Sequence, residues 1–153
     1  MSYIYITMNI EILKRKYLQC KKNNRYQEVD KNIYKIYFRS SNEDLSKSQE
    51  EILSGNLFWS LAALDSSATQ LLDGLSIKRL GLRPRSRVCS ENLIFSKKIL
   101  NEMEYEIIRN IRDTRNKAAY DALFRNDLEK DKIVSLISSF EKIFIKFGGG
   151  DDQ

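Results

Sequence analysis

"LFWSLAALDSSATQLLDGL", residues Leu57 to Leu75, is the stretch whose reading decides the fold. Leu57, Leu61, Leu64, Ala68, Leu71 and Leu75 recur every three or four residues, the period of one helix face, and Phe58 and Trp59 widen the stripe. A helix this apolar belongs in the middle of a core and must be covered by others. Gly55, just upstream, costs a helix about 1 kcal/mol relative to alanine. It marks either a close helix contact or a break between two shorter helices.

Outward from this segment the helical period continues. Ile10, Leu13, Tyr17 and Leu18 place an amphipathic helix over Asn9 to Cys20, and Tyr26, Val29, Ile33, Ile36 and Tyr37 place another over Tyr26 to Phe38. The turn-prone Lys21 to Arg25 stretch separates them. Ser41 followed three residues later by Asp44 has the form of a helix start. A long helix is expected from Glu91 to Phe124, and a last one from Leu128 to Phe147 with Val134, Ile137, Phe140, Phe144 and Phe147 on its stripe. Tyr3 to Ile6 alternate too briefly to separate strand from coil. One proline and six glycines are too few for the turns and bulges of a β-rich chain. The expectation is an all-α, up-and-down bundle of four to five helices forming a single domain over residues 1–147, followed by a flexible tail over 148–153.

The chain has no histidine. That excludes imidazole bases, and with them Ser-His-Asp and Cys-His nucleophile systems, and it disfavours a transition-metal site. Neither a cofactor nor a metal is expected. Cys20 and Cys89 form no Cys-x-x-Cys pair, and the expected state is two reduced thiols of an intracellular protein. The apolar amino terminus is followed rather than preceded by Lys14, Arg15 and Lys16 and lacks a small-residue cleavage site. No apolar run reaches the roughly 18 residues of a membrane span. A soluble, cytoplasmic protein with no membrane partner is expected.

The formal net charge is +5, and the cations are unevenly spread. Lys78, Arg79, Arg83, Arg85 and Arg87 lie between Ile77 and Ser90 with no acid among them, either a solvated loop or a patch that attracts phosphate. A second concentration lies in "IRDTRNKAAYDA", Ile111 to Ala122. At about 100° per residue, Ile107, Ile111, Thr114, Ala118 and Ala122 fall on one face, taken as the core face. Arg109, Arg112, Asn116, Ala119 and Tyr120 fall on the neighbouring arc, with Arg115 at the boundary. Glu106 and Asp113 are placed to offset part of that charge, and the two alanines let another helix approach closely.

This segment resembles the signature helix of the HEPN superfamily (higher eukaryote and prokaryote nucleotide-binding), small all-α proteins built on a four- or five-helix bundle. Arg115 followed by Asn116 matches the family's arginine and polar residue; Tyr120 stands where the family has histidine. The segment "EEILSGNLFWSLAALDSSATQLLDGL" is similar to the family's long core helix, and the resemblance covers Leu45 to Phe147. It implies a homodimer whose motif helices face each other and form a composite cleft for RNA or a nucleotide. It also implies membership of a toxin–antitoxin or defence-type system with a nucleotidyltransferase partner. Many members are metal-independent ribonucleases, and in that role Arg115 and Tyr120 would be the catalytic pair. A tyrosine with an ordinary pKa of about 10 is a poor base at neutral pH. The leading expectation is therefore binding with weak or no catalysis. Arg109, Arg112 and Asn116 would hold phosphate, and Lys78, Arg79, Arg83, Arg85 and Arg87 would extend the electrostatic footprint. The alternatives are a ribonuclease using arginine and tyrosine, and a helical protein-interaction subunit with no nucleic-acid role.

Overall fold

A computed structural model describes residues 3–148, with side chains from residue 11 onward. It is all-α, as expected, with seven α-helices among the described residues: α1 (Tyr3–Lys22), α2 (Tyr34–Leu53), α3 (Leu57–Leu80), α4 (Arg87–Ser96), α5 (Glu102–Tyr120), α6 (Ala122–Asn126) and α7 (Lys130–Lys146). Strands β1 (Tyr26–Glu28) and β2 (Leu82–Pro84) pair antiparallel, Gln27 opposite Arg83. The chain forms two compact units, one from Met1–Lys35 with Leu72–Asn101, the other from Ile36–Leu71 with Glu102–Gln153. Tyr3 to Ile6 lie in α1; the tail over 149–153 and the Ile10 side chain lie outside the described residues.

In the second unit, α2 and α3 are joined by a seam of serines. Phe38, Ser41, Leu45, Ser48 and Ile52 are buried at alternating spacings of three and four, a heptad pattern with large and small residues interleaved. Ser41 and Ser67 exchange hydrogen bonds, each hydroxyl donating to the other's carbonyl oxygen at 2.8 and 2.7 Å. One heptad away, Ser48 and Ser60 do the same at 2.7 and 2.8 Å. A hydroxyl carries one proton, so with both protons donated to carbonyls the Oγ–Oγ separations of 3.1 and 3.2 Å are close approach, not further bonds. Only small side chains let two helix backbones come near enough for this. The expected role of Ser41 as a helix start is overturned: it lies inside α2, buried, because it is needed at the seam.

The α3 stripe is as read except at its start, where Leu57 is half-buried. Leu61, Leu64, Ala68, Leu71 and Leu75 are buried, but Trp59 stays 63% exposed and does not widen the core. In α7 the buried residues are Ile133, Ile137, Phe140, Ile143 and Phe144, so the stripe includes Ile133 and leaves Val134 partly outside. Lys146 Nζ reaches the buried Glu104 Oε2 at 2.6 Å, tying α7 to α5.

Helix boundaries moved where the backbone turns left-handed. α2 ends as Gly55, at φ 78°, lets its own N–H reach Ile52 O while Asn56 N–H reaches Glu51 O. The same paired bonds end α1 around Asn24 (φ 54°) and α4 around Lys98 (φ 56°). Of the two alternatives at Gly55, the break is the one found. The helix expected from Glu91 to Phe124 is three helices, because Lys98 stops the first and Asp121 caps the third, accepting from Leu123 and Phe124 N–H at 3.0 and 3.2 Å. Tyr26–Glu28 is strand rather than helix, held in part by Val29 N–H on Gly81 O.

In the first unit, Cys20 and Cys89 are joined in a disulfide, Cα atoms 5.9 Å apart, which corrects the expectation of two free thiols. Among the described side chains of α1 only Leu13 and Cys20 are buried, and Leu18 is largely exposed. The disulfide adds a covalent link from this part of α1 to α4. Tyr26 donates its phenol to Cys89 O at 2.8 Å; its pKa is pushed up by burial and by Tyr17, so the proton stays in place.

Two outcomes follow from these packings. Ser48→Ala or Ser60→Ala alone should destabilise by about 1 kcal/mol in urea titrations, and the double variant by about the sum, since each hydroxyl donates to a main-chain carbonyl that the other substitution leaves in place; a double variant well short of the sum would mean that the two hydroxyls act as one unit. Reduction, or Cys20→Ser with Cys89→Ser, opens a loop of sequence separation 69. The chain-entropy relation gives a loss of about 4 kcal/mol for such a loop, and hydrogen exchange should show α1 losing protection before the helices of the second unit.

Candidate nucleic-acid interface

The arginine-rich arc stands on α5. Tyr105, Ile108, Ile111 and Ala118 are buried there, while Ile107 and Thr114 are only half-buried and Ala122 is exposed beyond the helix end. The core face is thus rotated from the expected Ile107, Ile111, Thr114, Ala118 and Ala122. The rotation changes the status of one arginine. Glu104, Ile108, Ile111, Arg115 and Ala118 follow one another at spacings of four and three, so Arg115 sits on the core stripe itself.

The two charged residues of that stripe are treated differently. Glu104 is ion-paired with Lys146. Arg115 is half-buried, makes no ion pair among the described residues, and donates only from Nη1 to Asn116 Oδ1 at 3.3 Å. A guanidinium has five N–H donors, so most of this one's capacity is left for water or an incoming anion. Asn116, itself exposed, is oriented by that bond.

On the outer part of the arc, Asp113 serves two cations. Its Oδ2 lies 3.7 Å from Arg109 Nε, and its Oδ1 accepts from Arg112 Nε and Nη2 at 3.3 Å each. Glu106, the other acid expected to help, makes no ion pair among the described residues. With Asp113 more than half exposed, these pairs are worth at most about 1 kcal/mol and are easily exchanged for phosphate.

Tyr120 closes α5 and is 86% exposed. Beyond it the chain turns at Asp121 into α6, which returns Arg125 to the end of α5. Arg125 Nε donates to Ala118 O at 2.9 Å and Nη2 to Ala119 O at 3.3 Å, a cation on the negative end of the helix dipole. Its guanidinium also lies 4.0 Å from the centre of the Phe58 ring. Around this corner runs an open groove of about 570 Å3, lined in part by Phe58, Ala119, Tyr120, Arg125 and Asn126. Arg125 and Asn126 were not singled out from sequence, because a helix continued through Phe124 carries both away from Tyr120. The available signal was Asp121, a good capping residue directly after the motif.

The basic run belongs to the first unit and is less uniform than its composition. Arg79, Arg83 and Arg85 are exposed. Lys78 lies over the Tyr34 ring at 4.8 Å. Arg87 Nε donates to the buried Glu91 Oε2 at 2.8 Å, a largely internal pair. Beside it, burial pushes the Asp73 carboxyl up to about 6, while Ser90, Arg83 and Arg87 pull it down. Ser90 Oγ makes no well-formed hydrogen bond, so its pull is that of a nearby dipole. Among the described residues no group of three or more Cys, Asp or Glu is placed to hold a metal ion, and no helix is long and apolar enough to cross a membrane. No protein-family model, curated protein or solved structure matches the chain.

Asp73 gives a signed pH dependence. Its folded pKa lies above its ordinary value of 3.8, so the folded state binds the proton more tightly and loses that stabilisation as pH rises from about 4 through about 6. Two pKa units correspond to about 3 kcal/mol. The stability of Asp73→Asn relative to wild type should therefore improve by about that much between pH 4 and pH 7 in denaturant titrations; a constant difference would show that the carboxyl is solvated.

Proposed function

We propose that this protein is a HEPN-like homodimer that binds RNA or a nucleotide through α5, with little or no catalysis, as part of a toxin–antitoxin or defence-type system with a nucleotidyltransferase partner. The observation that carries the reading is Arg115, a half-buried residue on the core stripe whose guanidinium has no acid partner among the described residues, where Glu104 on the same stripe has Lys146. A cation in that position is stabilised when an anion arrives, and a phosphate accepts bidentately from a guanidinium. Arg109 and Arg112, sharing one exposed carboxylate, and Asn116 add donors along the same helix. The exposed cations Arg79, Arg83 and Arg85 contribute to the field that attracts a polyanion.

Binding fits better than cleavage. The Tyr120 hydroxyl makes no hydrogen bond among the described residues, so no neighbour orients it as an acid or base. The ribonuclease reading would need Tyr120 to be positioned by the RNA itself. A cytoplasmic site of action goes with this role, and there the Cys20–Cys89 bridge would be exposed to reduction. The interaction-subunit reading has its own support in the exposed apolar side chains Leu53, Trp59 and Leu123.

Affinity for a mixed RNA pool should fall steeply with salt, as counterion release requires. Arg115→Ala should weaken binding about tenfold and reduce the salt slope by roughly 1, with an unchanged unfolding midpoint. Light scattering alone and with RNA decides between the readings: a dimer that takes up RNA at low salt supports this one, whereas an assembly indifferent to RNA turns the function toward protein partners.

A further inference from the structure

The groove at the α5–α6 corner offers more than positive charge. Its walls are mostly apolar, from Leu57, Phe58, Ala119, Leu128 and the exposed Tyr120, interrupted by a guanidinium and an amide, with no acid among the lining residues. Arg125 spends Nε and Nη2 on the α5 carbonyls, leaving Nη1 uncommitted, and Asn126 is exposed with its amide unused by the fold among the described residues. An apolar partner helix laid here would cover those donors without satisfying them. A nucleotide satisfies both demands, since its base has two apolar faces and a polar edge and its sugar carries a phosphate. The volume of about 570 Å3 lies within the usual range for small-ligand sites.

We propose that this groove receives one unpaired nucleotide, its base stacked on Tyr120, its polar edge against Asn126 and its phosphate facing Arg125. This rests on the RNA-binding reading of α5 and sharpens it: the substrate class becomes single-stranded rather than duplex RNA. Arginines on α5 grip any backbone, whereas a groove that needs a free base face rejects a paired one.

The test is fluorescence anisotropy of the full-length protein with ten-nucleotide single strands of uridine or adenosine and with a blunt RNA duplex of equal length, at one salt concentration. Single strands should bind more tightly than duplex. Tyr120→Ala should lose roughly ten- to a hundredfold on single strands and little on duplex, Tyr120→Phe should keep the single-strand preference, and Asn126→Ala should change the ratio of uridine to adenosine affinity. Arg115→Ala should lower all of them together. RNA binding with equal affinity for both forms, or equal loss on both in Tyr120→Ala, overturns the groove proposal while leaving the α5 reading intact. No RNA binding at all removes the α5 reading. In that case adenosine and uridine monophosphates, titrated in NMR, decide the groove alone: saturable shifts at Tyr120 and Asn126 keep it as a nucleotide site, and none overturns it. A loss of dimer mass in Tyr120→Ala without any change in RNA affinity assigns the surface to a second copy instead and also overturns it.

Discussion

The second unit depends on how closely α2 can approach α3. Two reciprocal serine pairs, Ser41 with Ser67 and Ser48 with Ser60, fix that distance and the antiparallel register together, since each hydroxyl must find the opposite helix's carbonyl. Leucines at those four positions would push the axes apart, and the carbonyls would fall out of reach. The interleaved Phe38, Leu45, Ile52, Leu61 and Leu64 supply the apolar area that drives burial. The serines supply the specification, because any slip of the seam would leave four buried hydroxyls without partners.

The same seam shows what the sequence reveals and what it conceals. The leucine stripe of α3 is legible because periodic hydrophobicity reports a helix face directly. The serines beside it were not legible, since Ser41 near Asp44 reads equally as a cap, and only the partner helix shows that it is packed. Helix ends divide in the same way. Gly55 announces its left-handed turn, whereas Lys98, in "SKKIL", gives no local sign of one, and a single unbroken helix was the natural expectation. The disulfide was likewise invisible, because the proximity of two cysteines 69 residues apart is a property of the fold.

On α5 the identity of the candidate residues was readable and their geometry was not. The arginines stood out because three like charges on one helix need an explanation. A rotation of the core face was enough to move Arg115 from a boundary to the packing stripe, and to separate it from Arg109 and Arg112, which share Asp113. The basic run suffered the opposite correction. A count of cations treats Arg87 and Arg85 alike, but one is held against a buried glutamate and the other faces solvent.

The bridge from α1 to α4 also bears on the order in which the chain takes shape during synthesis. α1 leaves the ribosome before α4, and the cysteine that pairs with Cys20 follows 69 residues after it, a delay of several seconds at ordinary elongation rates. A helix of twenty residues is only marginally stable by itself over that interval. Helix α1 is therefore fixed well after it is made, and until α4 emerges its cysteine is open to any other thiol or disulfide it meets.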